Sequence, residues 1–225
     1  MNELLFFGHL ALIIGLVLGA VRLGKEALIT VICLFAVLAN AFIMKQTTLF
    51  GLNVTCTDAY AVGSLLALNI LQQYHGEEIA KKAANLSLFS LLAFAILSLI
   101  QMLYVKSPFD HASSAYTTIL THSPRIVSAS VLTFYVIQRF DILFFKMMRK
   151  TLPNWPVFLL IAISLVITQS CDTFMFGYLG LYGVVHSVWQ ISIMALVIKF
   201  FAIFFMAPLS GLSKYVIKKE TKHAT

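Results

Sequence analysis

The chain has 225 residues, 60% of them hydrophobic and 11% charged, with a formal net charge of +7. A soluble domain carries about 25% charged residues, so apolar runs laid end to end indicate a polytopic membrane protein with no soluble domain beside it. The three cysteines, Cys33, Cys56 and Cys171, are scattered without a C-x-x-C pair or clustered histidines, which argues against a disulfide frame, a zinc site or another metal cofactor.

Seven spans are expected, at 4–21, 27–44, 54–74, 84–105, 124–148, 156–180 and 185–207, each long enough for a hydrocarbon core of about 30 Å. The first lacks the basic start of a signal peptide, having Asn2 and Glu3 instead, and reads as a retained helix. Gly24, Phe50-Gly51, Gly76, Pro108, Pro124, Pro153 and Pro156 punctuate the joints. The last joint, Tyr178 to Gly183, is barely polar and reads as a tight turn within the membrane. The fold class is therefore all-α integral membrane: one polytopic domain over 1–225, ending in a basic tail at 208–225.

The basic residues alternate. Arg22, Lys25, Lys81, Lys82, Lys146, Arg149, Lys150, Lys214, Lys218, Lys219 and Lys222 fall on one side, against Lys45, Lys106 and Arg125 on the other. By the positive-inside rule the N-terminus lies outside and the C-terminal tail in the cytoplasm. The charge is thus an orientation signal and not a nucleic-acid patch. In the first span Ala11, Gly15 and Gly19 recur every four residues. Such a row either packs inside the bundle or forms a docking face for a partner.

Two Gln-x-x-Asp pairs lie in consecutive spans, Gln138/Asp141 and Gln169/Asp172, each with Phe four residues after the Asp. A carboxylate at a helix centre costs roughly 2.5–3.5 kcal/mol on insertion scales, and such residues mark functional sites. Each Gln shares a helix face with its Asp, and polar repeats inside the membrane are typical of transporters. Carboxylate plus amide matches the donor and acceptor edge of a purine-like base, and a carboxylate alone suits a cationic amine. Phe134, Tyr135, Phe174, Phe176 and Tyr178 are aromatic enough to stack on a flat ring. The bland alternative is that each Asp pairs with Arg139, Lys199 or a neighbouring helix. Arg139 points away from Asp141 and is expected to snorkel, whereas Lys199 either pairs with an Asp or meets substrate. Asn40, Asn69, Gln72, Gln73 and Gln190 complete the intramembrane amides.

Other functions fit less well. A retinal protein would have Asp one turn before its lysine, where this chain has Ala195. No hydrolase, zinc-protease or nucleotide-binding motif appears, so the chain is not expected to be an enzyme or to hold its own ATPase.

Several stretches resemble the vitamin uptake transporter family, the queuosine-precursor transporters. They are Gly24-Lys-Glu-Ala27, Leu38-Ala-Asn40 with Lys45, Leu49-Phe-Gly-Leu52, Asn69 to Gly76 with Ala80-Lys-Lys82, and above all Arg125 to Ser130 through Gln138/Asp141 to Gln169/Asp172. The resemblance implies import of 7-deazaguanine bases across the inner membrane for queuosine modification of tRNA. It implies a fold like the substrate-binding components of energy-coupling-factor transporters, six core helices with one more at the N-terminus. An energising membrane partner or a homo-oligomer stays open, as does the coupling ion. The expected substrate ligands are Asp141, Asp172, Gln138 and Gln169, with Asn69, Gln73, Arg125 and Lys199 behind them. Asn69 and Gln73 stand where the family commonly has Asp and Glu, and His75 where it has Tyr. This points to a different member of the substrate series, such as free queuine. Asp141 and Asp172 are expected to differ in depth by roughly 10 Å, from their distances along the two helices at 1.5 Å per residue.

Overall fold

The computed structural model describes residues 1–43, 45–120, 124–183 and 188–216. Helix α1 spans Asn2–Leu23 and α2 Lys25–Ala41. A hairpin of β1, Gln46–Leu49, and β2, Leu52–Thr55, leads into α3, Asp58–His75. Then come α4, Glu77–Leu103, a short α5, Ser113–Leu120, and α6, Pro124–Thr151. Helix α7, Val157–Phe176, continues as a π-helical turn, Gly177–Leu181. Helix α8, Val188–Ser210, and a last turn, α9, Ser213–Val216, complete it. Long helices thus stand where all seven spans were expected, in an all-α membrane bundle.

Among the described residues, five stretches have both the length and the apolarity to cross a membrane: Asn2–Leu23, Glu77–Leu103, Ser128–Thr151, Val157–Leu181 and Ile191–Val216. The other two long helices differ for physical reasons. Helix α2 has 17 residues. Helix α3 is the centre of the bundle, buried on every face from Val62 to Gln72, and a helix walled by protein instead of lipid tolerates Ser64, Asn69 and Gln72. Helix α4 is its opposite: Phe89, Ile96, Leu97, Leu99 and Ile100 all face outward, as a lipid-facing helix requires.

Two joints are single glycines. Gly24 (φ 116) separates α1 from α2 and Gly76 (φ 87) separates α3 from α4. Both angles are costly for residues with a Cβ, so the chain reverses without a loop. Gly63 marks the tightest crossing, since a Cβ there would lie 2.6 Å from Ile13 Cγ2 and 3.2 Å from the Phe35 ring.

The hairpin was not anticipated; the 54–74 span was read as helical from its start. Its two-residue turn, Phe50-Gly51, has positive φ at both positions (51 and 78), as a primed hairpin turn needs. The Asn2 amide donates to Thr48 O at 3.0 Å and Thr47 Oγ1 at 3.2 Å, and Phe50 N–H donates to the Glu3 carboxylate at 3.3 Å. Phe50 stacks on Phe201 of α8 at 5.4 Å. The hairpin is thereby pinned to the first turn of α1 and the middle of α8. At the opposite end of the bundle, Glu77 of α4 bridges Lys146 of α6 (2.6 Å) and Lys81 (2.9 Å).

The row Ala11, Gly15 and Gly19 faces outward, and nothing lies within 4 Å of a Cβ built at Gly15 or Gly19. Packing inside this bundle is therefore not its role. The final joint is a π-helical continuation of α7 up to Leu181; residues 184–187, between it and α8, lie outside the described residues. Of the expected tail, 208–210 complete α8 and 213–216 form α9, while 217–225, with Lys218, Lys219 and Lys222, lie outside them too.

Candidate functional site

Helix α7 presents a polar stripe to the bundle. Ser164, Thr168, Gln169, Asp172 and Thr173 recur at helical spacing, and all but Asp172 are buried. Two polar centres are built along this stripe, separated by the rise from Ser164 to Asp172, about 12 Å at 1.5 Å per residue.

The deeper centre surrounds Asp141 of α6, which has no exposed surface. Ser164 Oγ donates to its Oδ1 at 2.7 Å, and Asn69 Nδ2 from α3 approaches the same oxygen at 3.4 Å. Gln138, one turn earlier, accepts at Oε1 from Ser87 of α4 at 3.0 Å. Gln72 Nε2 donates to the Ile142 carbonyl at 2.8 Å. Among the described residues no Lys or Arg pairs with Asp141. Among the described residues, Asp141 Oδ2, Asn69 Oδ1, Gln72 Oε1 and Gln138 Nε2 are buried without a hydrogen-bond partner, as is Gln169 Oε1 farther along α7. Each buried orphan costs about 1–3 kcal/mol, so the cluster carries unmet hydrogen-bonding capacity. It offers acceptor oxygens and one N–H donor, the complement of a flat ring with several N–H groups and a carbonyl.

The second centre joins three helices. Lys199 of α8, 3% exposed, donates to Asp172 Oδ2 at 2.6 Å and Thr173 Oγ1 at 2.9 Å. Asp58, in the first turn of α3, lies 3.7 Å from the same ammonium.

The two Gln-x-x-Asp pairs therefore do different things. Asp141 meets Asn69 and Ser164 in the deeper centre, and Gln138, one turn earlier on α6, meets Ser87. Asp172 is held by Lys199 in the other, and Gln169 lies one turn before Asp172 on the same stripe. Gln73 is half-buried; its neighbour Gln72 makes the bond to α6. The side chains of Arg125 and Gln190 lie outside the described residues. Arg139 turns away from Asp141, bonding Asn85 and lying over the Tyr135 ring at 5.4 Å. Asn40 accepts from Ser130 Oγ at 2.9 Å, tying α2 to α6. A cavity of about 400 Å³ lies under the hairpin, lined by His9, Lys45, Cys56, Thr57 and Tyr60 among others, and none of the expected ligands whose side chains are described lines it.

Ser164, Thr168 and Thr173 were missed by sequence reasoning, although their spacing from Gln169 and Asp172 is the signal that finds them. Asp58 was missed too; it is an acid inside an expected span.

A family model described as "Putative vitamin uptake transporter" matches residues 59–213. The chain belongs to that family. All the centre residues except Asp58 fall within the match. A Bacillus subtilis (strain 168) protein named "Probable queuosine precursor transporter" is 28% identical over 204 residues, covering 88% of each chain. No solved structure matches. This chain is accordingly a multi-pass membrane transporter for a small molecule and not an enzyme.

Proposed function

We propose that the transporter imports a queuosine precursor, a 7-deazaguanine base, across the inner membrane, and that Asp141 reads the base. The observation that carries this is the set of buried, unpartnered polar atoms around Asp141. Asp141 Oδ2 accepts ring N–H groups, Gln138 Nε2 donates to the ring carbonyl, and Asn69 and Gln169 complete the contact. The name of the Bacillus subtilis relative supplies the substrate class. All seven long helices cross the membrane, with the N-terminus outside and the basic end of α6 in the cytoplasm. The hairpin then covers the outer mouth, and α6–α7 moves against the rest during transport. Asn69, an amide among the ligands, suits free queuine; competition of labelled queuine uptake by unlabelled precursors tests this, and equal potency for all would sink it.

The test of the function is rescue of tRNA queuosine in cells unable to make its precursors, fed each compound in turn. Restored queuosine with this chain and not with Asp141→Asn supports the proposal; no rescue by any 7-deazaguanine rejects it.

A second reading is a binding subunit that depends on an energising partner. The outward row Ala11, Gly15 and Gly19 favours it, and purified chain that binds without transporting would establish it.

A further inference from the structure

We infer that Asp58, Lys199 and Asp172 form a proton-binding site that drives accumulation, with Asp58 as the group that gains and loses the proton. This rests on the transport reading above and adds its energy source.

Charge is the first reason. Two carboxylates face one ammonium, so the centre carries a net charge of one minus inside a bundle that sits in lipid. Unbalanced charge there is costly, and ionisable groups within spans mark proton relays. One proton makes the centre neutral.

Geometry selects Asp58. An ammonium has three N–H donors. One goes to Asp172 at 2.6 Å and one to Thr173 at 2.9 Å, whereas Asp58 stands at 3.7 Å, beyond hydrogen-bonding reach. Lys199 therefore holds Asp172 tightly and Asp58 loosely. The side chains of Asp58 and Asp172 are 17% and 26% exposed and that of Lys199 4%, so water reaches either carboxylate before the ammonium, and the longer distance from Lys199 is what singles out Asp58.

Placement makes the site useful. Asp58 opens the central helix α3, Asp172 lies on the α7 stripe that leads to Asp141, and Lys199 belongs to α8. A proton on an Asp58 oxygen forms an O–H bond, neutralises that carboxylate and leaves Lys199 wholly to Asp172. The α3–α8 attraction falls while the α7–α8 pair persists. On the far side of the cycle the O–H bond breaks, the proton leaves to water, and Asp58 returns to Lys199. The other titratable groups on the packed elements are Cys56 beside Asp58 in the chain, and His9, Lys45 and Tyr60 lining the neighbouring cavity; none bonds to the triad among the described residues. The position among the Asp172, Thr173 and Asp58 oxygens that a sodium ion would take is filled by the Lys199 ammonium.

The experiment uses the purified full chain in liposomes loaded with a pH dye. With substrate added under an inward acid gradient, the proposal expects the lumen to acidify. It also expects accumulation of about tenfold per unit of pH, because a tenfold ratio of either solute is the same free energy. Asp58→Asn is expected to keep exchange of labelled for unlabelled substrate while losing gradient-driven accumulation. Substrate exchange by the wild type with no acidification, or accumulation that follows sodium, overturns proton coupling and leaves the transport reading intact. So does Asp58→Asn accumulating like the wild type. Absence of exchange in the wild type overturns both.

Discussion

Lys199 donates to Asp172 at 2.6 Å across the α7–α8 interface, while Asp141, the partner acid of the repeated motif, meets no cation among the described residues. One short motif occurring twice thus builds two unlike centres. The difference lies in the helices that face each Asp. Asp172 meets α8, which brings a lysine, and Asp141 meets α3 and Ser164, which bring only neutral donors.

Removing the cation alone should therefore be harsh. Lys199→Met leaves Asp172 and Asp58 facing each other uncompensated, and breaking a buried pair costs about 3–5 kcal/mol. Thermal unfolding in detergent should show a marked loss. Lys199→Met combined with Asp172→Asn should recover only part of it, because Asp58 then remains as a single carboxylate without a cation.

The deeper centre should behave in the opposite way. Asp141→Asn keeps the shape and removes a charge with no cationic partner, so the bundle should insert and fold. Uptake should fall by about ten- to a hundredfold, the equivalent of one hydrogen bond to a charged group. Ser164→Ala frees Asp141 Oδ1 and should weaken uptake less. Cell-surface abundance measured beside initial uptake rates separates folding from function.

Gly63→Ala should destabilise the bundle without touching either centre. Its new Cβ would lie 2.6 Å from Ile13 and 3.2 Å from Phe35, and overpacking of this kind costs about 1–3 kcal/mol. A lower melting temperature with unchanged substrate affinity in the folded fraction is the expected pair of results.

Orientation is open to direct measurement. A fluorescent protein fused after Lys150 should glow, as it does only when folded in the cytoplasm, and a phosphatase active only outside should work when fused after Lys106. Reversed signals would reject the orientation proposed from the basic residues.

Much of the fold was legible because apolar length and glycine or proline joints are local signals. Gly24 and Gly76 stand between helices as read, and the long helices follow the expected spans within about four residues, except that α4 begins seven residues earlier, at Glu77. The hairpin was hidden because Leu52 to Thr55 is as apolar as a helix start; its signal is the Phe50-Gly51 turn between short β-prone runs. At the site, Asp141, Gln138 and Asn69 were readable as expensive polar groups in apolar runs, and the structure brings them together. Which cation, if any, each acid meets depends on long-range packing. Lys199 lies 27 positions beyond Asp172 and 58 beyond Asp141, and spacing alone does not choose between them. Asp58 escaped notice because its partner, Lys199, is 141 positions away in the sequence and is brought to the first turn of α3 only by the packing of α3 on α8.

The most direct test of the substrate reading is initial uptake of a radiolabelled 7-deazaguanine base by cells expressing the wild type or Asp141→Asn at equal membrane abundance. Saturable uptake by the wild type, falling at least about tenfold in the variant, is the predicted result. Equal uptake by the two chains would contradict Asp141 as the residue that reads the base.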